Sequence, residues 1–184
     1  MHVFADPTAS TAGTPGADQL VGTAAADAFS ALAGRDLLIG LGGNDQLNGG
    51  ADLDTAGYGG TRSQYVVVYN AGNLTVTDTS GVDGIDALAE IERLQFADKN
   101  LAFDIAGNAG QTYRLYQAAF ARTPDTPGLS FWIGQMDLGA ALLNVAGQFI
   151  GSAEFTAKYG ANPSNADFVT LLYQNVLNRL PDAG

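Results

Sequence analysis

The sequence predicts a protein of mixed α and β class, with the β and α structure in separate domains. Three observations lead to this fold class. A nine-residue repeat fills residues 13–57, a stretch rich in β-branched and aromatic residues follows it, and apolar positions at helical spacing occur only after residue 107. We therefore divide the chain as follows: an N-terminal arm at 1–12, a repeat domain at 13–60, a β-rich cap at 61–107, and a helical module at 108–184, incomplete at its C-terminal end.

The charge of the chain follows the same division. Lys and Arg number 8 against 19 Asp and Glu, a net charge of −11, and most of the acidic residues precede residue 108. Nucleic acids and anionic membranes are bound by clustered Lys and Arg, so neither is an expected partner. No apolar stretch is long enough to span a membrane. A cation is the partner that this balance favours.

Catalysis has little support in the residue types. Cysteine is absent and His2 is the single histidine, which excludes disulfides, zinc fingers and cysteine nucleophiles and makes a histidine-based triad a poor prospect. The sequences HExxH and GxSxG are also absent. We therefore predict that these residues form no enzyme, although a glycosidase that uses two carboxylates stays open on residue types alone.

Five consecutive nonads make up the repeat. The sixth position is always aspartate: Asp18, Asp27, Asp36, Asp45 and Asp54. The eighth position is always apolar: Leu20, Phe29, Leu38, Leu47 and Ala56. Glycine recurs at the first and fourth positions, where it permits tight turns. If two nonads form one coil of a solenoid, alternate aspartates stack in two columns at about the 5 Å strand spacing.

Stacked carboxylates repel each other unless a cation lies between them. Hard oxygen ligands, with neither His nor Cys nearby, favour Ca²⁺ over transition metals. The nonads resemble the RTX, or hemolysin-type, calcium-binding repeat of form G-G-x-G-x-D-x-U-x, where U is a large apolar residue. The best match is GLGGNDQLN at residues 40–48.

The resemblance implies a parallel β-roll with capping β-hairpins and with Ca²⁺ between successive turns. One ion would join the turns of Asp18 and Asp36, one those of Asp36 and Asp54, and one those of Asp27 and Asp45. Backbone carbonyls would complete each site, and the resemblance assigns this role to Gly16, Gly34, Leu41, Gly43 and Gly50.

Residues 61–104 predict β-structure that closes the repeat domain. Residues 64–69 and 74–77 alternate as two strands of a hairpin around the turn at 70–73. A following cluster of Asp78, Asp83 and Asp86 either binds a further Ca²⁺ or forms a simple Asp/Gly turn. The segment IERLQFAD at 91–98 is similar to the stretch that commonly follows RTX repeats, and we expect it to cap the open end of the solenoid.

The helical module contains a repeat of its own. The pattern LYQxxxxRxPD occurs at 115–125 and again at 172–182. Periodicity and capping residues predict helices at 111–122, 129–135 and 141–150, a fourth from Ser152 to the Gly160 stop, and a fifth opened by Ser164. This half is similar to domain of unknown function 4214, a helical module often found beside RTX repeats in bacterial secreted proteins.

Two roles are open for the polar and aromatic residues of this motif. Arg122 and Asp125 form a structural turn, or else they contact cell-surface polysaccharide or lipopolysaccharide together with Tyr116 and Trp132 as stacking surfaces. Aromatic residues at helical spacing more often belong to a core than to a ligand platform, which favours the structural turn.

These observations lead to three functional hypotheses. The first is a secreted bacterial Ca²⁺-binding module, whose β-roll folds outside the cell and presents a helical surface-binding or assembly domain. The second is a self-assembling S-layer or matrix protein, and the third is the non-catalytic C-terminal part of a secreted RTX enzyme. Residues 1–13 lack the features of a Sec-type signal peptide, and RTX-like proteins are typically exported by type I secretion, so we expect an extracellular or cell-surface location.

Overall fold

A computed structural model describes residues 2–4, 10–70 and 72–182, with no side chains described for residues 2–4. The chain divides into two compact units, Met1–Phe103 and Asp104–Gly184. The first unit contains the strands and the second contains the α-helices.

The strands of the first unit are short, because each nonad contributes only three residues to a sheet. They are β1 His2–Phe4, β2 Thr11–Ala12, β3 Gln19–Val21, β4 Ala28–Ser30, β5 Leu37–Ile39, β6 Gln46–Asn48 and β7 Thr55–Gly57. After a 3₁₀ turn at Arg62–Gln64 come β8 Tyr65–Asn70, β9 Asn73–Asp78, β10 Ile85–Ala89, β11 Arg93–Gln95 and β12 Asn100–Ala102.

The strands form two sheets of six, in the orders β1-β3-β5-β7-β11-β12 and β2-β4-β6-β10-β9-β8. Within the nonads each strand pairs in parallel with the strand two nonads later, so Leu20 lies beside Leu38 and Phe29 beside Leu47. One coil of the roll therefore takes two nonads, or 18 residues, and successive strands alternate between the sheets.

The apolar column of the repeat forms the core between the two sheets. Leu20, Leu38 and Ala56 are fully buried, and Phe29 and Leu47 are at most 3% exposed. In each three-residue strand from β3 to β5 only the middle side chain is buried, since neighbouring side chains of a strand point to opposite faces. This alternation explains why a single apolar residue per nonad suffices to build the core.

The region predicted as an N-terminal arm contributes strands to the roll. Strand β1 pairs in parallel with β3, and β2 pairs in parallel with β4. Residues 2–4 and 11–12 are therefore part of the sheets rather than a separate arm, because they supply main-chain partners to the first coil. Residues 1 and 5–9 of the same segment lie outside the described residues.

The β-rich cap both covers the roll and extends it. Strands β8 and β9 form the antiparallel hairpin that the sequence predicts at 64–77. Strand β10 then pairs in parallel with β6, and β11 pairs in parallel with β7. The segment at 91–98 thus adds a strand to one sheet, and β12 closes that sheet by antiparallel pairing with β11.

Five α-helices make up the described part of the second unit: α1 Asn108–Phe120, α2 Thr126–Asp137, α3 Leu142–Ile150, α4 Ala153–Tyr159 and α5 Asn165–Leu177. Asp125, Ser152 and Ser164 cap α2, α4 and α5 by accepting a backbone N–H bond. Aromatic side chains dominate their core, with Tyr116 and Phe149 in edge contact at 4.7 Å between ring centroids.

Helix α1 is three residues longer at its start than the sequence predicts, and it ends two residues earlier. The reason for the early end is Ala121, whose left-handed backbone (φ 51°) closes the helix before Arg122. Across the described residues, every helix falls short of the length and apolar character that crossing a membrane requires.

Candidate calcium-binding site

The repeat aspartates stack in two columns, one along each side of the roll. The backbone N–H of each aspartate donates to Oδ1 of the aspartate in the next coil, at 2.7 Å from Asp18 to Asp36, 2.8 Å from Asp27 to Asp45 and 2.9 Å from Asp36 to Asp54. The columns are thus held by the main chain, which places one carboxylate above another with little freedom to separate.

Buried carboxylate oxygens without a hydrogen-bond partner recur along both columns, namely Oδ1 of Asp27 and one oxygen in each of Asp36, Asp45 and Asp54. In Asp36, Asp45 and Asp54 this atom is Oδ2, and the three residues are 3%, 1% and 0% exposed. Buried polar atoms are almost always hydrogen-bonded in native proteins. A regular series of unpaired oxygens therefore indicates a ligand, and negatively charged hard oxygens fit a Ca²⁺ ion.

The electrostatics of the columns also favour a cation. Burial raises the pKa of Asp36 and Asp45 above its usual value. The pKa of Asp54 rises to about 7, chiefly through burial and also through the negative charges of Asp36 and Glu92. A raised carboxyl pKa means that the ionised form is costly in this environment, and a divalent cation between the coils would offset that cost.

In the first two nonads a threonine at the second position occupies Oδ2 of the aspartate. Thr14 donates its N–H and its hydroxyl to Oδ2 of Asp18, at 2.5 and 2.9 Å, and Thr23 donates in the same way to Asp27, at 2.6 and 3.1 Å. The hydrogen bond from the Thr14 backbone holds the pKa of Asp18 below its usual value. Protein donors thus occupy an oxygen that stays open in the last three nonads.

The turns of the last three nonads have a distinct backbone conformation. Their second and fourth residues lie in the left-handed region, with φ of 70° at Leu41, 115° at Gly43 and 97° at Gly50. Gly34, at the fourth position of the third nonad, has the same left-handed conformation. Gly16, at the fourth position of the first nonad, does not, and the carbonyl of Gly16 accepts a bond from the Thr14 hydroxyl at 3.4 Å. The predicted carbonyl ligands therefore fall into two groups. Gly34, Leu41, Gly43 and Gly50 lie in turns with left-handed residues, whereas Gly16 lies in a turn whose carbonyl and aspartate accept hydrogen bonds from Thr14.

Glycine at the first position of a nonad lets the backbone approach the carboxylate closely. A Cβ on Gly40 would lie 2.0 Å from Oδ2 of Asp45, and one on Gly49 would lie 2.5 Å from Oδ2 of Asp54. These distances are too short for any contact between non-bonded atoms. The carboxylates of Asp45 and Asp54 thus pack directly against the backbone of these residues, a close approach that only glycine permits.

The three aspartates predicted either to bind a further Ca²⁺ or to form a turn, Asp78, Asp83 and Asp86, make different contacts. Asp78 accepts hydrogen bonds from the Ser80 hydroxyl and from the backbone of 80, 82 and 83, chiefly through Ser80, and its pKa falls to about 2. Asp83 accepts a bond from the Tyr65 hydroxyl at 2.5 Å. The carboxylates of Asp78 and Asp83 thus accept hydrogen bonds within and beside the turn before β10, which favours the turn interpretation for these two residues.

Asp86 instead continues one of the carboxylate columns. Its Oδ1 accepts the backbone N–H of Asp45 at 3.0 Å, and its Oδ2 accepts the Tyr58 hydroxyl at 3.0 Å. Burial raises its pKa to about 7, with the negative charge of Asp45 adding to the effect. Glu92 continues the other column, because its Oε2 accepts the backbone N–H of Asp54 at 2.9 Å.

A sequence signal for part of this continuation was missed. Residues 81–89 read GVDGIDALA, with Gly at the first and fourth positions, Asp86 at the sixth and Leu88 at the eighth. Leu88 is 2% exposed and occupies the same core column as Leu47, with which it pairs. The hairpin inserted before it interrupts the nine-residue period, so this nonad was not grouped with the other five.

Among the residues that the structure describes, no three acidic or histidine side chains converge on one point. A cation would therefore be held by one or two carboxylates together with main-chain carbonyls. This donor set suits Ca²⁺, which accepts backbone oxygens and irregular geometry, better than it suits Mg²⁺.

In the repeated motif of the helical unit, the arginine contacts both a carboxylate and an aromatic ring. Arg122 bonds Glu154 in bidentate fashion, at 2.6 and 2.9 Å, and its guanidinium lies 5.3 Å from the ring centroid of Tyr116. Arg179 in the second copy lies over Tyr173 in the same way and bonds Asp182 at 2.8 Å. The shared geometry shows that the motif builds one local structure twice.

The proposed sugar-stacking residues lie in or against the helical core. Tyr116 is 5% exposed, and its ring contacts Phe120 and Phe149. Trp132 packs against Phe149 at 5.6 Å between ring centroids. Asp125 caps α2 through the N–H of Gly128 and lies 3.5 Å from Arg122. These contacts favour the structural-turn interpretation of the motif.

Replacing Asp125 with alanine is expected to destabilise the helical unit by about 1 kcal/mol, because α2 loses its side-chain N-cap. The unfolding transition is best followed by the fluorescence of Trp132, which belongs to α2. Asp182→Ala is the matched control, since Asp182 holds the same motif position but is exposed and caps no described helix. Equal destabilisation by the two substitutions would contradict the capping role.

Comparisons with known proteins bear on both units. Residues 12–47 and 21–56 match the RTX calcium-binding nonapeptide repeat, and residues 146–184 match domain of unknown function 4214. No curated protein matches the chain. A solved structure, the extracellular lipase LipA from Serratia marcescens, aligns with 48% of this chain and 15% of its own chain, at 24% identity and a TM-score of 0.43. The chain thus contains RTX calcium-binding nonapeptide repeats at residues 12–56 and a segment of domain of unknown function 4214 at residues 146–184.

Proposed function

We propose that the β-rich unit is a non-catalytic module that binds Ca²⁺ between the coils of its roll. The observation that carries this proposal is the series of buried, unpaired Oδ2 atoms in Asp36, Asp45 and Asp54. Their carboxylates would hold the ions, and carbonyls of the left-handed turns would complete the coordination. When bound, Ca²⁺ supplies positive charge between the stacked carboxylates.

The chain's own residues prepare this arrangement before any ion binds. The backbone bonds between successive aspartates set the spacing of the carboxylates, and glycine at positions 40 and 49 lets the backbone pack against those of Asp45 and Asp54. Thr14 and Thr23 donate hydrogen bonds to Oδ2 of Asp18 and Asp27, so this oxygen is already occupied in the first two nonads. We therefore expect the strongest binding at the turns of the last three nonads.

A Ca²⁺-dependent roll suits a protein that works outside the cell. Extracellular modules typically bind Ca²⁺ with dissociation constants of about 10⁻⁴ to 10⁻³ M, so their sites fill at the millimolar concentrations found there and stay empty in the cytosol. The RTX repeats and the absence of cysteine support a secreted protein, for which type I secretion is the expected route. In that setting the ions take the stabilising role that disulfides have in other secreted domains.

Calorimetric titration of the full chain with Ca²⁺ tests the proposal. Binding is expected with dissociation constants on the order of 10⁻⁴ M. Asp45→Asn should remove or weaken at least one site, because it takes away a buried charge while it keeps the size of the side chain. Asp98→Asn is the control, since Asp98 is an exposed carboxylate in the same unit. Absence of binding at millimolar Ca²⁺, or equal binding by Asp45→Asn and the unmodified chain, would contradict the proposal.

A further inference from the structure

We propose that the outward face of helix α5 docks a helix pair of another polypeptide, one that carries the residue pattern of α3 and α4. This α5 face consists of Val169, Tyr173, Val176 and Leu177, with Arg179 just beyond the end of the helix. The proposal goes beyond calcium binding and does not depend on it. It rests on a comparison of the two copies of the LYQxxxxRxPD motif, at 115–125 and 172–182.

In the first copy of the motif, the matching face of α1 is covered by other helices. Its residues are each at most 8% exposed: Thr112, Tyr116, Ala119 and Phe120. The ring of Phe149 in α3 lies 4.7 Å from that of Tyr116 and 5.0 Å from that of Phe120, measured between centroids. Helix α1 therefore uses this face to hold a helix that follows it in the chain.

In the second copy the same face is uncovered. The counterparts of the four buried residues are, in order, Val169, Tyr173, Val176 and Leu177. All but Tyr173 are between 43% and 52% exposed, and α5 has no buried residue along its length. The packing of α5 against the helical core uses Phe168 and Leu171 instead. The α5 face is thus a second apolar stripe at helical spacing, the kind of surface that binds another helical element.

The arginine of the motif indicates which charge the occupant carries. In the first copy, Nε and Nη2 of Arg122 donate to the two carboxylate oxygens of Glu154, in the first turn of α4. In the second copy, Arg179 bonds through Nη1, to the Leu180 carbonyl and to Asp182. Within the part of the chain that the structure describes, the two nitrogens that hold a glutamate in the first copy have no acceptor in the second. A carboxylate on the occupant would complete the same bidentate contact.

These two observations define the chemistry of the occupant. It presents an aromatic ring to the α5 face, as Phe149 does to α1, and a carboxylate to Arg179, as Glu154 does to Arg122. In this sequence the pattern is FIGSAEF at 149–155. That segment is already engaged with α1, so we assign the α5 face to a segment of the same pattern on another polypeptide.

A synthetic peptide of residues 139–160, which contains α3 and α4, is the probe for this interaction. Fluorescence anisotropy of the labelled peptide is expected to show saturable binding to the full chain in the micromolar range. Val176→Asp should weaken binding at least ten-fold, because it puts a charge where the counterpart Ala119 is buried. Gln174→Asp is the matched control, since it adds the same charge to α5 at a position whose counterpart Gln117 stays exposed.

A pair of charge substitutions tests the arginine contact. Arg179→Gln in the chain and Glu154→Gln in the peptide should each weaken binding about three-fold, and both together no further than one alone. Thermal unfolding followed by Trp132 fluorescence checks that each variant of the chain is folded. No saturable binding, equal binding by Val176→Asp and the unmodified chain, or additive losses in the double variant would overturn the proposal. So would dimerisation of the full chain that Val176→Asp abolishes, because a second copy would then cover the face.

Discussion

Adding Ca²⁺ to the EDTA-treated full chain is expected to raise the free energy of unfolding of the β-rich unit. The gain is about 1.4 kcal/mol for each site at a Ca²⁺ concentration ten times the dissociation constant, because an ion that binds only the folded roll stabilises it by mass action. Thermal unfolding followed by circular dichroism measures this change. Identical spectra and identical midpoints in EDTA and in Ca²⁺ would contradict it.

The dependence on pH separates calcium binding from a general salt effect. Without Ca²⁺, the folded pKa of Asp54 and Asp86 is about 7, against an ordinary value of 3.8. Between these values both groups hold a proton in the folded unit and lose it in the unfolded chain, so their contribution to stability is fully present below about pH 4 and is lost as the pH rises to about 7. The slope amounts to at most about 1.4 kcal/mol per pH unit for each group.

Saturating Ca²⁺ should remove most of this fall, because the cation compensates the charge that proton loss creates. Unfolding measurements at pH 5 and pH 8, each with EDTA and with Ca²⁺, give the four values required. The ionic strength of the EDTA samples can be matched with NaCl as a control. Stability that rises with pH in EDTA would show that the buried carboxylates are not destabilising the calcium-free roll.

Replacing Leu38 with alanine is expected to lower the free energy of unfolding by about 2–5 kcal/mol. Leu38 is fully buried at the centre of β5, where it contributes the only buried side chain of that strand. Loss of its methyl groups leaves a cavity between two sheets, and the main-chain pairs of the neighbouring coils prevent the cavity from collapsing. The measurement is urea unfolding in saturating Ca²⁺, which keeps the ion contribution constant.

Leu32→Ala is the matched control for this prediction. Leu32 lies in the preceding turn of the same nonad and is 48% exposed. The same substitution there should change stability by less than about 0.5 kcal/mol. Similar losses at the two positions would mean that the apolar column does not carry the core of the roll.

Much of the fold of the β-rich unit could be predicted from the nonad period, because each nonad repeats the same pattern of turn and strand residues. Aspartate at the sixth position and an apolar residue at the eighth recur at fixed spacing, so the 18-residue pairing of Leu20 with Leu38 follows from the period itself. The ends of α4 and the start of α5 were predictable for a similar reason, since Ser152, Gly160 and Ser164 act on the backbone next to them. The start of α1 had no such mark, because Gly107 caps it without a side chain.

Residues 81–89 repeat the nonad pattern around Asp86, but the return of the chain to the other sheet at β11 could not be read from spacing. Asp86 and Glu92 occupy equivalent places in the two columns, yet they are six residues apart rather than nine. Only the pairing of β10 with β6 and of β11 with β7 reveals the equivalence. For β11 such long-range pairing depends on which sheet edge is open after the hairpin forms, and no nonad pattern precedes Glu92.

By itself, the sequence determined the class of the protein and the chemistry of its repeat: an acidic chain without cysteine, whose aspartates recur every nine residues beside an apolar column. The tertiary structure decided which carboxylate oxygens are satisfied. Thr14 and Thr23 donate hydrogen bonds to Oδ2 of Asp18 and Asp27, and Tyr58 donates one to Oδ2 of Asp86. Oδ2 of Asp36, Asp45 and Asp54 is buried and has no hydrogen-bond partner. The reason is physical: residue types and their spacing are local properties, whereas a buried oxygen is left unpaired only by the packing of distant segments around it.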